Sequence, residues 1–138
     1  MIAALRDFIQ TCPFITEFST NETPLDWTDP ESNHGVECIG DERIGSYVGG
    51  MEKRAATYAL YARNCTAADA NRISNNKFSE RFTRWIAQQQ RARSLPLLSD
   101  GRTALTLEAS NGMLLSYGDS VSTGTYKIKI RMTYTMEV

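Results

Sequence analysis

The last fourteen residues, Thr125–Val138, read TYKIKIRMTYTMEV. Tyr126, Ile128, Ile130, Met132, Tyr134, Met136 and Val138 share one face, and Thr125, Lys127, Lys129, Arg131, Thr133, Thr135 and Glu137 share the other. A period of two held this far predicts an extended strand with one face in a core and one in water. The segment is about twice the usual five or six residues of a strand. Lys53–Asn64 alternates in the same way, with Ala56, Tyr58, Leu60 and Ala62 opposite Thr57, Ala59, Tyr61 and Arg63. Its alanines would also suit a helix, but Thr57, Tyr58 and Tyr61 favour a strand. Arg102–Ala109 and Met113–Tyr117 read as two more strands, with Ser110-Asn111-Gly112 as a hairpin-like turn between them. Gly35–Ile39 predicts a short strand and Phe14–Phe18 a short extended piece.

Elsewhere the period changes to that of a helix. Ile2, Leu5, Phe8 and Ile9 form an amphipathic stripe over residues 2–11, and Pro13 stops it by pushing its predecessor out of the α region. A stronger helix is expected from Lys77 to Arg91. Phe78, Phe82, Trp85, Ile86 and Gln89 line its core face, Lys77, Arg81, Arg84, Gln88 and Arg91 line an adjacent face, and Ser94-Leu95-Pro96 ends it. Thr66-Ala-Ala-Asp69 fits a capping box and predicts a helix from Ala67, interrupted at Ser74-Asn75-Asn76. Ser19–Asn33, with Trp27 inside it, reads as loop, as do Asp41–Gly50 and Gly118–Gly124. Strands in blocks, rather than alternating with helices, predict an α+β fold. The expected sheet is largely antiparallel or mixed, packed by an N-terminal helix and one long central helix, in a single domain spanning 1–138.

Composition is that of an ordinary globular chain, with 41% hydrophobic and 22% charged residues. No apolar run approaches the roughly 20 residues that span a bilayer, and the N-terminus, lacking a basic leader, reads as a first helix rather than a signal peptide. Cys12, Cys38 and Cys65 lack paired spacing and read as free, buried or half-buried thiols in a reducing cytoplasm. Net charge is only −1, but it is unevenly spread. Residues 1–52 hold two basic and ten acidic residues, residues 53–94 hold nine basic and two acidic, and residues 95–138 balance. An acidic third and a basic third are raw material for faces of opposite sign.

Candidate chemistry is sparse. His34 is the sole histidine and has no neighbouring ligand set, so it reads as a loop histidine. Gly40, Gly45, Gly49 and Gly50 match neither phosphate-loop pattern. Asp26, Asp29 and Glu31 cluster without an EF-hand arrangement and read as a solvated acidic loop. No nucleophile elbow or zinc-protease motif is present. These features point to no enzyme, no cofactor and no metal. The basic helix face has three readings: a solvated surface, a protein contact, or a phosphate contact with nucleic acid. A pI of about 5.8 and the lack of aromatics within the basic stripe weaken the last of these. Lys127, Lys129 and Arg131 on the outer face of the last strand read as solvated residues guarding a sheet edge, or as contacts.

LRDFIQTCPFITEF, NKFSERFTRWIAQQQRARSLPLL and YKIKIRMTYTMEV, in this order and spacing, resemble a prophage-encoded minor tail protein family of Gram-positive bacteria. The shared pattern is a helix ending at Cys-Pro, a Phe-x-x-x-Phe-x-x-Trp helix ending in Leu-Pro, and a strand-rich C-terminus. The resemblance implies a structural role similar to that of tail terminators, small α+β proteins that form a ring, typically of six subunits. Such a ring caps the tail tube and docks the head connector. The implied partners are further copies of the chain, the tail tube protein and the head–tail connector, and the implied location is the virion tail, reached from the bacterial cytoplasm. Arg81, Arg84 and Arg91 are then the expected protein contacts, with Trp27 as an anchor and Asp26, Asp29, Glu31, Asp41 or Glu42 among the opposing charges. A minor capsid or head–tail joining protein is the alternative, followed by a small nucleic-acid-binding domain.

Overall fold

The computed structural model describes residues 2–18, 34–65, 77–117 and 124–137. Within them lie helix α1 (Ile2–Gln10), a 3-10 turn (Ile15–Phe18), strands β1 (His34–Ser46) and β2 (Met51–Cys65), helix α2 (Phe78–Arg91), and strands β3 (Arg102–Tyr117) and β4 (Gly124–Glu137). The four strands form one sheet in the order β1-β2-β4-β3, antiparallel at every pairing. The helices pack on it, α1 on the β1 side and α2 against β3. This is the α+β architecture that the periodicity predicts.

The core lies between the helices and one face of the sheet. Ala56, Tyr58, Leu60 and Ala62 of β2 and Ile128, Ile130, Met132 and Tyr134 of β4 are buried there, with Val36 from β1 and Leu107 from β3. The residues of β2 and β4 are those that alternation groups on one face. From the helices come Leu5, Phe8 and Ile9 of α1 and Phe78, Phe82, Trp85 and Ile86 of α2. Aromatic rings join the helical layer. Phe18 stacks on Phe78 (5.1 Å between centroids), Phe78 on Phe82 (5.6 Å), and Phe82 and Phe8 both meet Trp85 (5.9 and 5.2 Å). Such pairs each add about 0.5–1.5 kcal/mol beyond the area they bury.

Three expectations about local structure are corrected. The piece at Phe14–Phe18 is helical, not extended, because it folds back to set Phe14 and Phe18 against Phe78. Gly35–Ile39 is only the start of a thirteen-residue strand, and Asp41–Ser46 continues it instead of forming a loop. The glycines that looked like punctuation are taken up by register shifts at Cys38/Gly40 and Arg43/Gly45, each of which inserts a bulge without ending the ladder. The turn itself is confined to the tip, where Gly49 and Gly50 hold φ of 102° and 93°, and the Tyr47 N–H closes it on the Met51 carbonyl at 2.8 Å.

Ser110-Asn111-Gly112 is likewise no hairpin turn. β3 runs through it, with a shift between Ala109 and Met113, and both halves pair with β4. β4 is consequently an interior strand, so Lys127, Lys129 and Arg131 do not guard a sheet edge. The outer face is also not wholly wet. Ala55, Ala59, Thr133 and Thr135 are buried there, and the Thr106 and Thr133 hydroxyls bond to each other. Lys127 reaches from β4 over β2 to Glu37 of β1 at 3.0 Å. The capping box at Thr66 and the helix expected from Ala67 lie outside the described residues.

Candidate functional site

The end of the sheet nearest the β1–β2 turn lies beyond the apolar core, and there the inner face becomes polar. Arg43, Arg54 and Tyr134 are cross-strand neighbours on β1, β2 and β4. The Arg54 guanidinium donates through Nε to Asp41 Oδ1 at 3.1 Å and through Nη1 to Glu52 Oε2 at 3.2 Å. The Tyr134 hydroxyl donates to Asp41 Oδ2 at 2.6 Å. Asp41 thus accepts on both oxygens, and its bond is the first cause holding the Arg54 pKa above its ordinary range. Burial, and then the bond to Asp41, raise the Tyr134 phenol. The cluster closes the core with paired charge. Both of its carboxylates, Asp41 and Glu52, are engaged by Arg54.

Tyr58, one step further into the core, has its phenol pushed up to about 12, chiefly by burial. The unfolded chain titrates its tyrosines near pH ~10. Above that pH the unfolded state holds fewer protons than the folded state, so stability is intact below pH ~10 and falls as pH rises towards 12. Tyr58 alone should account for about 1.4 kcal/mol of loss by pH ~11. Urea unfolding of wild type and Tyr58→Phe from neutral to alkaline pH measures this, and the two curves should converge by that amount.

Two grooves flank β3. One, of about 340 Å³, lies between α2 and β3 and is lined by Thr83, Ile86, Gln90, Arg91, Leu107 and Glu108 among others. Across it Gln90 Oε1 accepts the Leu107 backbone N–H at 2.8 Å, and the Thr83 hydroxyl, which donates to the Ser79 carbonyl at 2.8 Å, lies 3.4 Å from the Ser110 carbonyl. The second, of about 360 Å³, is formed by Arg93, Leu95–Leu98 and Arg102–Ala104. Its geometry starts at the end of α2. The Ser94 N–H reaches the Gln89 carbonyl (2.9 Å) and the Arg93 N–H the Gln90 carbonyl (3.1 Å), a Schellman closure with Arg93 left-handed at φ 59°. Glycine favours that position, and a side chain there costs about 1 kcal/mol. The exposed Arg93 lies at the groove. An Asp100-Gly101 turn, with both φ values positive, then leads into β3. The buried Arg102 Nε has no hydrogen-bond partner among the described residues.

On the opposite flank, β1 is the other edge of the sheet. Ile39 and Ile44, at its two register shifts, are exposed, as are Tyr47 and Val48 at the turn, Val48 completely.

The expected contact residues fall in different places. Arg81, Arg84 and Arg91 lie exposed on α2, and Arg81 sits over the Phe14 ring at 4.4 Å. Glu42 is exposed, whereas Asp41 is bound to Arg54 and Tyr134. Trp27, Asp26, Asp29 and Glu31 lie outside the described residues. Cys12 is buried, and Cys38 is exposed, contrary to the expectation of a half-buried thiol. Among the described residues no three histidine, cysteine, aspartate or glutamate side chains are placed to hold a metal ion, and no helix is long and apolar enough to cross a membrane. Alternation in the sequence does not single out the Asp41–Arg54–Tyr134 cluster or the second groove. A signal for the cluster existed, since Arg54 falls on the apolar face of its own strand.

No protein-family model matches the chain, and no curated protein matches it.

Proposed function

We propose that this chain is a structural subunit of a bacteriophage or prophage tail, a tail terminator or tail-completion protein that closes into a ring. The ring would cap the tail tube and dock the head connector, and no catalysis is required. The observation that carries this reading is the unlikeness of the two flanks of the sheet. The β1 flank bears Glu37, Asp41 and Glu42 against Arg43, together with exposed Ile39 and Ile44. The β3 flank carries α2 and its C-terminal extension, with Lys77, Arg81, Arg84, Arg91 and Arg93 exposed against Glu80, Asp100 and Glu108. A ring is built from heterologous contacts, in which one patch meets a different patch on the next subunit. The resemblance of the three motif segments to minor tail proteins supports the finer assignment, and a head–tail joining protein would use the same surfaces.

Light scattering across protein concentration and salt tests the reading. A closed oligomer near six subunits is the expected result, and Arg84→Glu should weaken it several-fold at low salt while leaving the unfolding midpoint unchanged. A chain that stays monomeric at high concentration yet binds nucleic acid, with an affinity falling steeply in salt, would replace this reading with the phosphate-binding one.

A further inference from the structure

Ser46, Glu52, Met136 and Arg102 are successive partners in one row across β1, β2, β4 and β3. That row places the apolar turn residues Tyr47 and Val48 and the groove of Arg93, Leu95–Leu98 and Arg102–Ala104 at the same end of the sheet. They lie on opposite flanks, about 14 Å apart by three strand spacings. We propose that the β1–β2 turn of one copy seats Tyr47 and Val48 in this groove of the next copy. The inference rests on the ring reading above and names the contact that would build it.

Three features select a second copy as the occupant. First, knob and hole have matching character: Val48 is fully exposed at the tip, and Leu97 is 91% exposed at the groove. Second, charge is complementary. Glu42 is exposed on the β1 flank, while the exposed Arg93 lines the groove beside Arg102, whose Nη1 lies 3.7 Å from Asp100. Third, knob and hole stand at one height along the strands. Rotation about an axis along the strands carries one onto the other without a rise, and a head-to-tail contact without a rise closes instead of spiralling.

The test uses two single variants, Val48→Asp and Leu97→Asp. Both positions are exposed, so circular dichroism and thermal midpoint should match wild type at concentrations too low for assembly. Each variant alone should weaken self-association on the order of 30-fold or more, as removal of a central contact does. Mixed, they should form one-to-one pairs, since each retains the surface that the other has lost. An oligomer unaffected by Val48→Asp overturns the contact and leaves the ring reading standing. So does a mixture in which no pairs form, whereas a wild type that stops at a two-fold dimer overturns both the contact and the ring. A wild type that is monomeric at every concentration overturns both.

Discussion

Ile130→Asp should leave the chain unable to fold, while Lys129→Asp, one residue away, should change stability by no more than about 0.5 kcal/mol. Ile130 is fully buried on an interior strand, opposite Tyr58 on one side and Ala109 on the other. Replacing it removes about 1.5–3 kcal/mol of apolar burial. It also forces a carboxyl into the core, where even a protonated and unpaired group costs about 1–3 kcal/mol in proteins, and a charged one more. Together these come to about 2.5–6 kcal/mol, and more for the charged form, enough to unfold a domain in the lower part of the roughly 5–15 kcal/mol range. Lys129 faces outward and is exposed, so its carboxylate replacement remains in water. Far-UV circular dichroism and urea titration of the two variants decide the matter. If Ile130→Asp unfolded cooperatively at the wild-type midpoint, the faces of β4 would have to be exchanged.

Phe82→Ala is expected to cost about 3–5 kcal/mol. Phe82 is fully buried and sits between Phe78 and Trp85 in the line of rings that ties α2 to α1 and the 3-10 turn. Truncation leaves a cavity flanked by stiff aromatic rings, which collapse poorly into the space, so the upper part of the range applies. Denaturant unfolding of wild type and variant gives the difference. A loss below about 1 kcal/mol would mean that the rings repack freely, contrary to the ordinary density of a core.

Binary pattern made the architecture legible because the two periods are clean where burial is one-sided. Alternation placed Ile128, Ile130 and Met132 of β4 on the core face, and the helical stripe placed Phe78, Phe82 and Trp85 of α2. Strand ends were less legible, and for one reason. Gly40, Gly45 and Ser110-Asn111-Gly112 are turn formers by composition, yet each falls beside a partner strand long enough to absorb an extra residue as a bulge. Local propensity cannot register a neighbour that is distant in sequence. The candidate surfaces were half legible. The exposure of Arg84 and Arg91 followed from helix phase, whereas the pairing of Asp41 with Arg54 and Tyr134 depends on the register of three strands. The second groove depends on the left-handed Arg93, a conformation that composition does not announce.

The bond from Gln90 to β3 carries one more consequence. A sheet with two bare edges can recruit strand after strand and grow into a fibril. Here the helix that builds the core also occupies part of one of those edges, where Gln90 takes the Leu107 backbone N–H. Where that backbone donor is taken, another strand cannot add to the sheet at β3.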